Sequence, residues 1–171
     1  MNTALKTDVQ WVAVGAHPCD TPSFNQWTAA AVAAGLHSAP RKLAMPNARY
    51  TITVRVVDEM ESATLNDGFR SNSNPTNVLA FPAEDELFTR VGSDEAELGD
   101  LIICLPVVVR EANDQNKPLI AHLAHMVVHG TLHLLGFDHI SEADAEFMET
   151  LEVTVLASLG YSNPYQTTYK D

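Results

Sequence analysis

The segment from His129 to His139 carries three histidines with the spacing H-x3-H-x5-H, and it constrains the fold more tightly than any other part of the chain. His129 and His133 are four residues apart, so on a helix their side chains project from the same face, one turn apart. Gly136 follows, and a glycine can adopt the left-handed conformation that ends a helix and turns the chain back. We expect this bend to bring His139 to the same point as the other two imidazoles.

Three converging imidazoles with one coordination position left open are typical of a catalytic zinc site. The metzincin pattern H-E-x-x-H-x-x-G-x-x-H has the same frame, including the glycine at position 136. The chain differs where a metzincin has the glutamate that acts as general base, because Gly130 stands there. Glycine cannot accept a proton, so the sequence predicts the metal site without the usual peptidase mechanism.

Other polar side chains near this motif have more than one interpretation. Asp138 either orients an imidazole or caps the bend. His122 and His125 lie two turns and one turn before His129, where either could accept a proton, although core packing or solvent exposure is the simpler interpretation. Glu152 is interpreted as a helix-surface residue, with a contact behind a metal ligand as the alternative.

Length and composition predict one globular domain spanning residues 1–171. No apolar run approaches the roughly 20 residues that span a bilayer, and the first residues lack the apolar segment of a signal peptide. The two cysteines are far apart, and Cys104 lies in an apolar run where a small buried hydrophobe is expected. These features predict a cytoplasmic protein with no membrane contact.

The charge balance argues against a general nucleic-acid binder and gives no reason to expect DNA binding. Ten basic residues against 22 acidic ones leave a formal net charge of −12. Half of the basic residues nevertheless fall between positions 41 and 70, whereas 16 of the acidic ones lie from position 84 onward. The five basic residues in the first group are Arg41, Lys42, Arg49, Arg55 and Arg70. They either form a local basic surface or are scattered in solvent.

Hydrophobic periodicity predicts the order β-α-β-α-β-β-α-α-α, and hence an α+β fold with a small mixed β-sheet packed with about five helices. The zinc site is expected on a helix followed by a glycine bend. The predicted strands cover residues 8–14, 50–57, 77–81 and 99–105. The predicted helices run from Thr21 or Ser23 to Gly35, over 58–66 and 107–113, from Lys117 through the histidine motif, and from a capping box at Ser141 to Gly160. Residues 68–76 are predicted as a loop, and 83–97 as an irregular acidic segment.

Four motifs make the chain resemble the YbeY family of metal-dependent endoribonucleases and rRNA maturation factors. The segment His129–His139 matches the family's H-G-x-L-H-L-x-G-[FY]-D-H. Phe69-Arg70 with Pro75-Thr-Asn-Val-Leu-Ala-Phe-Pro82 is similar to its R-x-K-D-K-P-T-[DN]-V-L-S-F-P block. Leu98-Gly-Asp-Leu-Ile-Ile-Cys104 and Met148–Glu152 resemble its L-G-D-[IL]-V-I-C strand and its M-E-x-x-E helix.

The resemblance implies one Zn2+ ion per chain, held in a cleft by His129, His133 and His139. It implies that Arg70 binds the phosphate, although Arg70 alone would be interpreted as part of a surface ion pair. Arg70 and His129 are the predicted catalytic residues. The implied activity is single-strand RNA cleavage in 16S rRNA 3′-end maturation and ribosome quality control, with single-stranded rRNA and the small ribosomal subunit and its proteins as partners.

Departures from the family pattern and two alternative functions remain. Asn72, Ser73 and Asn74 remove charge from a loop expected to face the metal, and Ala80 stands where serine is common.

One alternative is another zinc hydrolase that acts on a peptide or ester. The other is a ribosome assembly factor whose zinc is structural and whose cleavage is weak or dependent on a partner.

Overall fold

The computed structural model describes residues 4–41, 49–84 and 95–166. These ranges contain four strands and five α-helices, in an order that confirms the predicted α+β pattern. The elements are β1 (Leu5–Trp11), α1 (Thr21–Gly35), β2 (Arg49–Val57), α2 (Glu59–Arg70), β3 (Val78–Pro82), β4 (Glu95–Cys104), α3 (Leu105–Asp114), α4 (Leu119–Leu134) and α5 (Glu142–Ser158). A 3-10 turn, Leu36–Ser38, follows α1. No helix in the described ranges combines the length and apolarity needed to cross a membrane.

The four strands form one mixed sheet, as predicted, in the order β1-β2-β4-β3. Strand β2 pairs in parallel with both β1 and β4, and β3 pairs antiparallel with β4. Strand β3 is therefore an edge strand of the sheet. Helix α4, which carries His129 and His133, packs across β3 and β4, so the histidine motif lies near this edge of the sheet.

Alternation along the strands divides the apolar side chains between the two faces of the sheet. Val78, Leu101 and Ile103 belong to the main core, which the sheet shares with α1, α4 and α5. Their neighbours Leu79 and Ile102 face the other way and pack with α2 in a smaller cluster. Each fully buried aliphatic side chain contributes about 1.5–3 kcal/mol, so these contacts fix how α4 sits on the sheet.

The first strand begins and ends three residues earlier than the predicted 8–14. Its position is decided by parallel pairing with β2, which runs from Leu5 opposite Tyr50 to Trp11 opposite Val56. The amides of residues 12 and 13 then both donate to the Val56 carbonyl, at 2.8 and 3.0 Å, and end the ladder. Among residues 5–7 only Thr7 is buried, and it is polar, so these residues carry little hydrophobic pattern and the prediction from alternation was wrong there.

Helix α2 is one turn longer than predicted, which places Arg70 at the end of a helix instead of in a loop. Phe69 packs on Phe81 with ring centroids 4.5 Å apart, and this contact holds the additional turn. Ser71, in the left-handed region with φ of 53°, ends the helix.

Strand β4 and helix α3 also begin earlier than predicted. Strand β4 starts at Glu95, so the irregular prediction for 83–97 was wrong over its last residues, and residues 85–94 lie outside the described ranges. Helix α3 follows β4 directly, with Pro106 in its first turn, where the missing N–H of proline costs no helical hydrogen bond.

Candidate active site

The three histidines of the motif converge at the C-terminal end of α4, as the spacing predicted. His129 and His133 extend from the last turns of the helix, and their Nε2 atoms are 3.0 Å apart. The ring of His139 lies 5.9 Å from that of His129 and 5.3 Å from that of His133, between centroids. One nitrogen from each ring lies within 4.8 Å of the other two, so the group could hold a metal ion. Three imidazoles are a donor set that suits zinc and related transition metals.

The bend that brings His139 back is a Schellman motif centred on Gly136. The Gly136 amide donates to the His133 carbonyl at 3.0 Å, and the Phe137 amide donates to the Leu132 carbonyl at 3.1 Å. Gly136 has φ of +96°, as predicted for a residue that ends this helix. Its lack of a side chain is also required by packing, because a Cβ atom there would lie 2.9 Å from the Arg41 backbone nitrogen.

Arg41 secures the same end of α4 from the side. Its guanidinium donates to the carbonyls of Leu134 and Leu98, both at 3.0 Å, and to that of Ala83. Positive charge at a helix C-terminus is favourable because carbonyls without helical partners lie there. Arg55 is similarly engaged, with Glu61 at 2.6 Å. Arg41 and Arg55 are thus engaged by acceptors of this chain. Lys42 lies outside the described ranges.

A cleft of about 660 Å³ opens over the three histidines. Arg70 and the three histidines line it together, so α2 and α4 each supply one wall. Strand β3 supplies further lining through Val78, Ala80 and Pro82, which point to the same side of the sheet. Arg70 is exposed, and its guanidinium has no hydrogen-bond or ion-pair partner within the described residues. Its five donors are therefore available to an anion in the cleft.

The chain between α2 and β3 is held against α2 by buried polar side chains. Ser62 donates to the Thr76 carbonyl at 3.1 Å and accepts from the Thr76 amide at 3.0 Å. Asn66 donates to the Asn74 carbonyl at 2.8 Å. These bonds fix the path of the loop that follows Arg70, and so keep Arg70 and β3 on the same cleft.

Gly130 lines the cleft, but the direction a side chain would take from it leads toward the sheet. A Cβ atom at Gly130 would lie 2.8 Å from Leu101 Cδ2 and 3.1 Å from Val78 Cγ2. A side chain at the position of the metzincin glutamate would therefore push Leu101 and Val78 out of their places in the core. The structure gives the packing reason for the substitution, and it agrees with the predicted loss of the peptidase base.

Glu152 is fully buried, so its interpretation as a helix-surface residue was wrong. It accepts hydrogen bonds from His129 Nδ1, from His125 Nε2 at 2.8 Å and from the hydroxyl of Tyr165. Burial raises the pKa of its carboxyl, but these donors outweigh burial and lower that pKa to about 2. Tyr165 lies in a tail whose polar composition gave no indication of such a role.

The other polar neighbours are also placed by the structure. His122 and His125 are both buried, in agreement with the core interpretation, and neither lines the large cleft. Asp138 is half exposed and accepts from the His139 amide at 2.8 Å, whereas its carboxylate is 3.9 Å from His139 Nδ1. Asp138 therefore caps the bend.

Burial makes His133 a neutral imidazole over most of the pH range. Burial, reinforced by the neighbouring His129 and His139, lowers the pKa of His133 to about 4. A neutral ring keeps a lone pair for a metal ion, so this environment suits a ligand.

Comparison with known proteins agrees with this geometry. The family model of endoribonuclease YbeY matches residues 18–160. An endoribonuclease YbeY of Alkalilimnicola ehrlichii is 48% identical over 95% of this chain and 92% of its own length. One of Alcanivorax borkumensis is 46% identical over 92% of this chain and 85% of its own length. The chain belongs to the endoribonuclease YbeY family. The family resemblance predicted from the four motifs is therefore confirmed.

A solved structure shows the same fold at lower sequence similarity. The solution structure of a Thermotoga maritima protein is 21% identical, covers 92% of this chain and 99% of its own length, and superposes with a TM-score of 0.52. At this identity the match supports the α+β architecture alone.

The departures from the YbeY pattern fall at different distances from the cleft. Asn72, Ser73 and Asn74 are not among the residues that line it, although their loop was expected to face the metal. Asn72 instead accepts from the Asn74 amide at 3.1 Å and shapes the turn after α2. Ala80 does line the cleft, so this departure changes the surface open to a substrate.

Proposed function

We propose that this protein is a zinc-dependent endoribonuclease that hydrolyses single-stranded RNA, with the 3′ precursor of 16S rRNA as substrate. The observation that carries the proposal is that three convergent histidines line one cleft with Arg70, which has no partner among the described residues. Membership in a family whose relatives are named endoribonucleases supports the reaction class. The volume of the cleft, about 660 Å³, is in the range of sites that bind small ligands and single nucleotides.

The proposed chemistry divides between the histidines and Arg70. His129, His133 and His139 would hold a zinc ion, which would supply Lewis acidity toward a phosphodiester. Arg70 binds the non-bridging phosphate oxygens with paired N–H donors and offsets the negative charge that develops in the transition state. Because Arg70 is exposed and unpaired among the described residues, it does not have to break an internal ion pair to do so.

The substrate preference is proposed from the kind of surface that the cleft offers. Besides the three histidines, the cleft lining has one basic residue, Arg70, and one acidic residue, Asp138, so it has few positive charges for tracking a duplex backbone. Single-stranded RNA can place one phosphate at Arg70 while its bases splay apart. The overall charge of −12 favours contact with basic ribosomal proteins, and we propose the small ribosomal subunit as the partner that delivers the rRNA. A role in ribosome quality control belongs to the same proposal.

A peptidase or esterase is the weaker alternative. Gly130 stands where a metzincin has the glutamate that acts as base, and a side chain there would displace Leu101 and Val78. Among the described residues that line the cleft only Asp138 is acidic, and its Oδ1 accepts from the His139 amide at the bend.

The test is cleavage of a single-stranded RNA that carries the 16S 3′ precursor sequence. Wild type, His129→Ala and His37→Ala would be compared after each is shown to be folded by a thermal melt. His37 is an exposed histidine on the 3-10 turn and serves as the matched control. We expect wild type and His37→Ala to cut the RNA and bind one zinc, and folded His129→Ala to do neither.

Two other results would contradict the proposal. Equal cleavage by all three proteins would show that the activity does not come from this site. If no protein cuts the RNA but wild type binds the small subunit, the assembly-factor alternative is supported. In that case a structural zinc would reveal itself by unfolding of the protein when the metal is chelated.

A further inference from the structure

A buried carboxylate lies directly behind one of the three histidines. Glu152 of α5 has no exposed surface, and its Oε1 accepts the Nδ1 proton of His129. An ionised carboxylate can only accept hydrogen bonds, so this contact assigns the ring proton of His129 to Nδ1. The Nε2 atom of His129 is then left with a free lone pair, and it faces Nε2 of His133 at 3.0 Å.

Two further donors bond to the other oxygen of the same carboxylate. His125, one turn before His129 on α4, donates through Nε2 to Glu152 Oε2 at 2.8 Å. The hydroxyl of Tyr165 donates to the same oxygen. A buried carboxylate is costly unless it is fully hydrogen-bonded, so three donors converging on Glu152 indicate a built arrangement and not an incidental contact.

The tail beyond α5 brings Tyr165 to this point. Lys117 donates to the Pro164 carbonyl at 2.6 Å, and the Tyr165 amide donates to Asn163 Oδ1 at 2.9 Å. The ring of Tyr165 then packs edge-on against His125, with centroids 5.4 Å apart. These contacts anchor the tail at the start of α4 and place the tyrosine hydroxyl over the carboxylate.

We propose that Glu152 is the positioning residue of the metal centre, and that Tyr165 and His125 hold it in place. By accepting the Nδ1 proton, Glu152 selects the tautomer and ring orientation in which His129 presents Nε2 to a metal. The inference rests on the proposed metal site, and it assigns to that site a carboxylate from α5 and a tyrosine from the C-terminal tail. Histidine ligands that donate to a carboxylate in this way bind metal more tightly, and loss of the carboxylate typically weakens binding about 10- to 100-fold.

The first test reads the tautomer of His129 without any metal. Two-bond 1H–15N spectra of the metal-free protein, recorded at about pH 8 in the presence of a chelator, distinguish a proton on Nδ1 from one on Nε2. We expect the proton on Nδ1 in wild type. In Glu152→Gln we expect a mixture of tautomers, because an amide can either accept from Nδ1 or donate to it. A proton on Nε2 in wild type would overturn the proposal.

The second test measures zinc affinity by competition with a chromophoric chelator. We expect Glu152→Gln to raise the zinc Kd about 10- to 100-fold, and Tyr165→Phe to raise it about 2- to 10-fold, the effect of one hydrogen bond. Glu146→Gln makes the same change on the exposed side of α5, and Tyr161→Phe removes a hydroxyl just after that helix. Both controls should keep the wild-type Kd. Unchanged Kd values in folded Glu152→Gln and Tyr165→Phe would overturn the proposal.

The variants also separate this inference from the proposed function. If Glu152→Gln does not fold, Tyr165→Phe decides, because Tyr165 is half exposed and its ring is retained. If wild type binds no zinc, the proposed function fails, whereas the tautomer spectrum still shows whether Glu152 controls His129. If zinc binds and no RNA is cut, the affinities decide the positioning role independently of the substrate.

Discussion

Gly130 of α4 packs so closely on Leu101 of β4 that a Cβ atom at Gly130 would lie 2.8 Å from Leu101 Cδ2. Leu101 is itself fully buried. Gly130 directly follows His129, so this contact joins the helix that carries the metal ligands to the sheet. It shows that the glycine of the H-G-x-x-H motif sets the distance between α4 and β4.

Gly130→Glu, which recreates the metzincin pattern, should therefore destabilise the protein and produce no peptidase. A side chain there would displace the buried side chains of Leu101 and Val78, so we expect the free energy of unfolding to fall by about 1–3 kcal/mol. Gly68→Glu is the matched control, because a Cβ atom at Gly68 meets nothing within 4 Å. Urea unfolding measures both variants. A Gly130→Glu protein as stable as Gly68→Glu would show that α4 can move away from the sheet.

Arg70→Ala should lower kcat/KM for RNA about 100- to 1000-fold, the usual effect of removing a transition-state donor. Arg70→Lys should recover only part of this loss, because an ammonium cannot donate two parallel hydrogen bonds to one phosphate. The melting temperature should not change, since Arg70 is exposed and has no partner within the described ranges. Arg110→Ala, which removes an exposed arginine outside the cleft lining, should leave kcat/KM at the wild-type value. Equal activity of Arg70→Ala and Arg110→Ala would exclude the phosphate-binding role.

The metal-free protein should lose stability as the pH falls from about 6.5 to about 4. Burial, together with His129 and His139, lowers the pKa of His133 from 6.5 to about 4. In this window the unfolded chain binds a proton at His133 that the folded chain does not, so the free energy of unfolding rises with pH. The contribution is at most about 3 kcal/mol, reached near the upper end of the window.

Urea unfolding in the presence of a chelator, at a series of pH values, measures this dependence. His133→Gln should show a weaker slope between pH 4 and 6.5 than wild type. His37→Gln, at an exposed position, should retain the wild-type slope. If His133→Gln has the same slope as wild type, protonation of His133 does not explain the acid sensitivity.

Gly136→Ala should destabilise the protein more than Gly160→Ala and should also weaken zinc binding. Both glycines end a helix in a Schellman motif with positive φ, +96° and +89°, and alanine costs about 1–2 kcal/mol in that conformation. At Gly136 the added Cβ also meets the backbone of Arg41 at 2.9 Å, whereas at Gly160 nothing lies within 4 Å. We expect about 1–3 kcal/mol of additional loss at Gly136 from this overlap.

Thermal melts and zinc titrations of the two variants measure this difference. Zinc binding should weaken only in Gly136→Ala, because His139 follows that bend and its position depends on it. Equal melting temperatures for the two variants would show that Arg41 moves aside at no cost.

The local features of the site were predictable because short-range geometry decides them. The i, i+4 spacing of His129 and His133 and the bend at Gly136 depend on a few consecutive residues, and the structure contains both as predicted. The capping of α5 by Ser141, which accepts from the Asp144 amide at 3.1 Å, is equally local. The element order was correct for the same reason, whereas several element boundaries were displaced where a neighbouring strand or helix decided them.

The sequence by itself determined which residues can bind a metal and which family motifs they belong to, because ligand chemistry and helical spacing are properties of the residues. Only the tertiary structure decided that Glu152 is buried against His129 and that the Tyr165 hydroxyl donates to Glu152. It also decided that the Arg41 guanidinium donates to a carbonyl at the C-terminal end of α4. These contacts join residues 13 to 93 positions apart. No periodicity along the chain encodes such pairs, because packing of helices on the sheet creates them.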